Sequence, residues 1–174
     1  ELLMGYDLLQ YLLPHTAESL RRDSDGSVFK FLQAGLANTD RRIKVEQPVT
    51  PMFLYAVLLW HPICERATEI FEKYEVTQIE ALLDACEEIV SEQQGHTSYP
   101  KRFSVPMKDM LVMQRRFERR RGVRALRLLS HKRFRAAYDF LLLRAQCGEE
   151  DQELVDWWTE VQILSPGEQR KAFG

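Results

Sequence analysis

Apolar residues recur at three- and four-residue intervals along most of the chain, and no stretch sustains a period of two. The pattern therefore predicts helices and no strands. Leu2, Leu3, Tyr6, Leu9, Leu12 and Leu13 mark an amphipathic helix ending near Pro14. Arg21 to Gly26 reads as a polar turn. Ser27 then caps a short helix carrying Phe29, Phe31, Leu32 and Leu36, and the polar stretch Asn38 to Gln47 reads as an ordered connection. Thr50-Pro51 is a strong helix start, a capping hydroxyl followed by proline at the first helical position. The apolar run after it predicts a central buried helix that His61-Pro62 stops or kinks.

A helix then continues over Ile63 to Tyr74 with Ile70, Phe71 and Tyr74 inward. Thr77 and Glu80 have capping-box spacing, and Ile79, Leu82, Leu83, Cys86, Ile89 and Val90 form the stripe behind them, ended by Gly95. Ser104, followed by Pro106, opens a helix with Met107, Met110, Leu111 and Phe117 on one side; Gly122 interrupts it, and Ala125 to Leu129 is a short helix. Ser130-His131 turns into a helix with Phe134, Ala137, Tyr138, Leu141, Leu142 and Ala145 aligned, closed by Gly148. A final helix from about Glu150 to Val161 ends at Pro166-Gly167. The expected fold class is all-α, an irregular orthogonal helical bundle of six to nine helices without a heptad repeat.

Charge changes this picture. The net value of −2 over 174 residues hides a segregation: Tyr99 to Arg135 holds 13 Lys and Arg against Asp109 and Glu118, leaving 11 basic and 24 acidic residues elsewhere. The core of this window, Gln114 to Arg127, sets guanidinium groups around two consecutive helical pieces, with Arg116, Arg119, Arg120 and Arg124 spaced by three or four unless Gly122 breaks the register. Arginine suits phosphate because its planar fork donates two parallel hydrogen bonds. Two acids within the window cannot neutralise it, although acids from other helices could. Phe117 and Phe134 lie on apolar faces and are expected in the core rather than against bases. Trp157 and Trp158 cannot both point inward, so one is expected partly exposed, with a protein contact as its use.

Other chemistry is sparse. Three widely spaced cysteines, Cys64, Cys86 and Cys147, form no CxxC pair, which argues against structural zinc and for a reducing cytoplasm. His15, His96 and His131 fall in predicted turns with no evident carboxylate or serine partner, and Asp23-Ser24-Asp25 reads as turn chemistry. There is no GxGxxG, no phosphate-binding loop of the Walker type, and no Gly-Ser with a spaced aspartate pair of the kind that holds magnesium for nucleotidyl transfer. Neither a catalytic residue nor a metal ligand is assigned. The longest apolar run, Met52 to Trp60, is far short of the ~20 residues a membrane span requires. No secretory leader is visible, and a start at Glu1 within a helical pattern suggests an excised fragment.

The stretch Lys132-Arg133-Phe134-Arg135-Ala136-Ala137-Tyr138-Asp139-Phe140-Leu141, preceded by Arg124 to His131, resembles the C-terminal region of bacterial poly(A) polymerases. Ala37 to Ile43, Val49 to Ala56, Pro100 to Arg102 and Val155 to Trp158 resemble further blocks of that family in the expected order. The resemblance implies a parent enzyme, close to the tRNA nucleotidyltransferases, that adds AMP from ATP to RNA 3′ ends with Mg2+, a step that promotes RNA decay in bacteria. It also implies a nucleotidyltransferase head, a helical neck, and helical body and RNA-binding parts. Residues 1–40 then correspond to the end of the neck and body helices, and 41–174 to an arginine-rich RNA-binding domain. This chain departs from the family pattern in lacking the head, with its metal-binding aspartates and ATP pocket, and in stopping at Gly174 without the long basic tail common in relatives.

The expected function is accordingly non-catalytic RNA binding by phosphate contacts from Arg115, Arg116, Arg119, Arg120, Arg121, Arg124, Arg127, Lys132 and Arg133. The expected partners are single-stranded RNA 3′ ends, bound without sequence preference, and the head of the same parent chain; no cofactor is expected in this piece itself. The alternative is an internal scaffold or protein-docking domain whose basic segment pairs with acidic groups.

Overall fold

A computed structural model describes residues 8–174, so the expectations at Leu2, Leu3 and Tyr6 lie outside the described residues. Among the described residues there are ten helices and no strand: α1 (Leu9–Leu12), α2 (Pro14–Arg22), α3 (Ser27–Lys44), α4 (Pro51–Lys73), α5 (Gln78–Gln93), α6 (Lys101–Phe117), α7 (Gly122–Leu129), α8 (Phe134–Cys147), α9 (Gln152–Ile163) and α10 (Pro166–Ala172). The chain divides into two compact units, residues 1–108 and 109–174, with the division inside α6. The 40/41 boundary implied by the family resemblance falls within α3, which runs unbroken through it.

In the first unit, α4 is the central helix, and it does not stop at Pro62. A proline inside a helix removes the N–H that would bond the carbonyl four residues earlier, here that of Leu58. The hydroxyl of Thr16 on α2 donates to that carbonyl at 2.7 Å, so the orphaned acceptor is satisfied from a neighbouring helix. Phe31, Ala56, Val57, Leu59, Ile63 and Ala85 are fully buried around it. At Gly35 of α3 a Cβ would fall on the Val57 side chain, so the glycine lets α3 and α4 approach closely. Phe71 and Tyr74, expected inward, are 45% and 53% exposed. Ile63, Ala67 and Ile70 already define the buried stripe, and the position after Ile70 is rotated away by roughly 100°.

Several boundaries differ from the sequence expectation. Helix α1 ends at Leu12, near Pro14 as expected, but Pro14 also opens a further helix, α2, since the first helical position does not need an N–H. Asn38 to Lys44 extends α3, and within it Thr39 Oγ1 donates to Gly35 O and Arg41 donates to Asn38 Oδ1. The backbone at Thr50 is the start of α4, but its hydroxyl makes no cap bond. α6 begins at Lys101, ahead of Ser104. His15 lies in α2, not in a turn, and its Nε2 is 2.7 Å from Glu92 Oε2. The capping box of Thr77 and Glu80 forms in full. Asp25 and Asp23 accept the backbone N–H groups of Ser27 and Phe29 as turn chemistry requires. Cys86 is buried, and burial pushes its thiol up to about 12.

In the second unit the end of α6 and helices α7–α10 enclose Met110, Leu111, Met113, Phe117, Ala137, Phe140, Leu141 and Trp158. Phe117 and Phe134 are core, as their apolar faces predict. Buried Gln114 donates to the carbonyl of Ala137 at 3.0 Å, and buried Arg144 lies 3.1 Å from Glu150. Gly148 closes α8 at φ +86°, a conformation that costs glycine nothing. Pro166 opens α10 where a stop was expected, because Ser165 and Glu168 form a second capping box around it.

Four exposed carboxyls are held below their ordinary range: Asp25 and Glu80 and Glu168 by side-chain and backbone bonds at helix starts, and Glu87 by Lys108. A folded pKa below the unfolded one favours folding above the ordinary carboxylate range of about 4, and that contribution is lost as pH falls through the depressed values. The melting temperature is therefore expected to fall between pH 5 and pH 3, read by circular dichroism. An unchanged melting temperature over that interval would contradict the assignment.

Candidate nucleic-acid interface

The basic segment is not one helical face. α6 ends at Phe117, residues 118–121 leave the helix, and α7 begins at Gly122, whose φ of +84° requires glycine. The loop so formed is tied at both ends. The indole N–H of Trp158 donates to the carbonyl of Phe117 at 3.0 Å, and the N–H of Gly122 donates to the carbonyl of Phe173 at 2.6 Å. Arg119, Arg120 and Arg121 are thereby presented from an anchored turn, not from a stripe of spacing three or four.

The nine predicted cations divide by environment. Arg116, Arg119, Arg121, Arg124, Arg127 and Lys132 are exposed and form no ion pair among the described residues. Arg115 pairs with Glu118 at 3.2 Å and Arg120 with Glu153 at 2.8 Å, both partly exposed. Arg133 sits in the turn before α8, with its Nε buried and making no hydrogen bond among the described residues. On α7, Arg124 and Arg127 share an outward face because Ala125 and Leu128 hold the inward one. Residues 109–174 contain 13 basic and 10 acidic side chains, so extensive internal neutralisation was available. Within the nine-residue set it extends to two pairs, and exposed pairs of this kind are worth little.

Two open clefts gather these groups. Arg119, Arg120 and Arg121 line one of about 720 Å³ together with Trp157 and Ala172. Arg127 lines another of about 690 Å³ with Arg170, Ser130 and apolar residues of α7, α8 and α10. Arg115, Arg116, Arg124, Lys132 and Arg133 line neither. Sequence reading missed Arg170 as a member, since it lies far outside the basic window, and gave Trp157 no role beside the arginines. The one available signal was the Trp-Trp dipeptide: Trp158 is fully buried, so Trp157 is the one left partly exposed. Among the described residues, no three His, Cys, Asp or Glu side chains gather closely enough to hold a metal ion. Nor is any described helix long and apolar enough to cross a membrane.

Comparison with known proteins bears directly on this segment. The family model described as "Polymerase A arginine-rich C-terminus" matches residues 74–173, more than half of the chain. The chain belongs to this family. Its similarity to curated members extends further: it is 36% identical over 172 residues to Poly(A) polymerase I of Escherichia coli O157:H7, covering 98% of this chain and 37% of that protein. Poly(A) polymerase I of Salmonella typhi is 35% identical over 170 residues (97% and 37%), and that of Haemophilus influenzae 29% over 171 residues (98% and 38%). The chain thus spans little more than a third of the length of these relatives. In this member of the arginine-rich family, the named arginines are concentrated on the loop at 118–121 and on α7, inside the matched region.

Proposed function

We propose that this chain is the RNA-binding C-terminal part of a polynucleotide adenylyltransferase, and that it holds RNA by its phosphates without catalysing transfer. The observation that carries this reading is the set of six exposed cations, Arg116, Arg119, Arg121, Arg124, Arg127 and Lys132, with no ion pair among the described residues. Arg115, Arg120 and Arg133 complete the surface. Phosphates meet arginine forks without reference to base identity, so binding is sequence-tolerant. In the parent, single-stranded 3′ ends are held here while the head of the same chain adds AMP from ATP. ATP and Mg2+ belong to that head: among the described residues of this chain no acidic cluster gathers to hold the metal, and no step of transfer is assigned to them. Residues 1–40 are proposed as the end of the neck and body helices and 41–174 as the RNA-handling region, working in the cytoplasm in RNA polyadenylation.

A titration of fluorescently labelled oligoadenylate at two salt concentrations tests this. Each phosphate neutralised on a single strand contributes about −0.7 to the slope of log affinity against log salt, so six contacts give about −4. Raising salt from ~50 to ~200 mM should then weaken binding roughly 300-fold. Equal affinity at both would reject phosphate recognition.

The pairs Arg115–Glu118 and Arg120–Glu153 favour a second reading, in which the basic segment braces its own unit or docks acidic partners. It accounts for two of the nine cations and leaves the six exposed ones unexplained.

A further inference from the structure

The cleft bounded by Arg119, Arg120, Arg121, Trp157 and Ala172 has a composition that phosphate binding alone does not need. A backbone-tracking surface requires only cations. Here an aromatic ring stands in the same depression as three guanidinium groups, and the ring is not free to turn. Trp157 meets Trp158 at 4.8 Å and Phe173 at 5.0 Å between ring centroids, with interplanar angles of 86° and 87°. Those neighbours are buried, so what remains of the indole surface lines the cleft. The same two residues tie down the arginine loop, Trp158 through the Phe117 carbonyl and Phe173 through the Gly122 N–H. Ring and cations are thus set by one piece of core and presented together. Ala172 opposite leaves the depression open, and its volume of about 720 Å³ lies in the ~300–1,000 Å³ range of small-ligand clefts.

We propose that this cleft seats one nucleotide of bound RNA, its base stacked against Trp157 and its flanking phosphates held by Arg119 and Arg121. The inference rests on the RNA-binding reading above and adds the residue that touches a base. Any of the four bases offers a π-face, so the seat adds affinity without demanding sequence. Arg120 donates to Glu153, which is 80% exposed and therefore replaceable by a phosphate at low cost. Glu153 accordingly acts as a competing anion at the rim.

The test uses the whole chain and two fluorescein-labelled probes, a short oligoadenylate and an oligomer of the same length with an abasic ribose–phosphate backbone. Wild type should bind the oligoadenylate more tightly by about 5- to 150-fold, the range for one stacked base. Oligoadenylate, and not the abasic probe, should quench tryptophan fluorescence. Trp157→Leu should abolish the discrimination and leave abasic affinity and salt slope unchanged, whereas Trp157→Phe, which keeps a stacking surface, should retain part of it. Glu153→Gln should tighten both probes. Equal wild-type affinity for the two probes, or discrimination that survives Trp157→Leu, overturns the nucleotide seat while leaving phosphate binding intact. Failure of both probes to bind at low salt overturns the RNA-binding reading itself. The quenching arm needs no variant, so a Trp157→Leu chain that misfolds does not protect the proposal.

Discussion

Replacing Arg116, Arg119, Arg121 and Arg124 together by glutamine is expected to weaken binding of single-stranded RNA roughly 600-fold at about 0.1 M salt. The magnitude follows from counterion release. With a slope near −0.7 per phosphate on a single strand, one contact contributes about 5-fold at 0.1 M relative to 1 M, and four contribute multiplicatively. The salt slope should shrink by about 3 in the same variant. Stability should change little, because the four side chains are exposed and make no ion pair among the described residues. Fluorescence anisotropy at several salt concentrations measures the first two quantities and thermal melting the third. A variant that keeps the wild-type slope but melts earlier would reverse the interpretation and favour an internal brace.

The contrast between these arginines and their paired neighbours sharpens the expectation. Arg115 spends its charge on Glu118, three residues along the same chain segment, and Arg120 on Glu153 from α9. Removing either exchanges a guanidinium–carboxylate pair for a lone carboxylate on the surface, so its effect on RNA combines a lost contact with an uncovered repulsion. Arg133 differs again: its Nε is buried, and replacing it disturbs the turn before α8 as well as the surface charge.

Helical class, the Thr77 capping box, the Gly148 closure and the inward placement of Phe117 and Phe134 were legible in sequence because each depends on residues within one or two turns of each other. Prolines were read less well. Pro14 and Pro166 can follow one helix or begin another, and the choice depends on what comes next: a capping box at Ser165 and Glu168 in one case, a helix carrying buried Thr16, Ala17 and Ser19 in the other. Pro62 lies within a continuous α4, and the Leu58 carbonyl it leaves without a helical donor is satisfied by Thr16, a partner 42 residues away. The site was legible as a composition and not as a shape. Thirteen cations within one window announce a basic surface, but the anchoring of residues 118–121 comes from Trp158 and Phe173, and Trp157 reaches the arginines only through the fold. Local periodicity carries no information on such distant neighbours, and Gly122, the residue that ends the helical register, offered only the hint that a break occurs there.

Trp158→Ala should be the most disruptive single substitution in residues 109–174. The indole is fully buried, stacks edge-on to Phe117 at 4.9 Å, and lies within 5.8 Å of both Phe134 and Phe173. Its N–H also satisfies the carbonyl at the end of α6. Truncation of a buried aromatic of this size costs about 3–5 kcal/mol, against the ~3–10 kcal/mol total expected for a unit of this length at typical stability per residue. Trp158→Phe refills most of the space but strands the Phe117 carbonyl, a loss of about 1–3 kcal/mol. Hydrogen exchange of the full chain separates these outcomes. Amides of α8 and α9 should lose protection strongly in Trp158→Ala and moderately in Trp158→Phe, while those of α4 and α5 keep theirs. Because Trp158 also holds one end of the arginine loop, RNA affinity should fall in the same order although no charge has been removed. An alanine variant with intact protection in α9 would mean that the arginine loop is held by something other than the aromatic core beneath it.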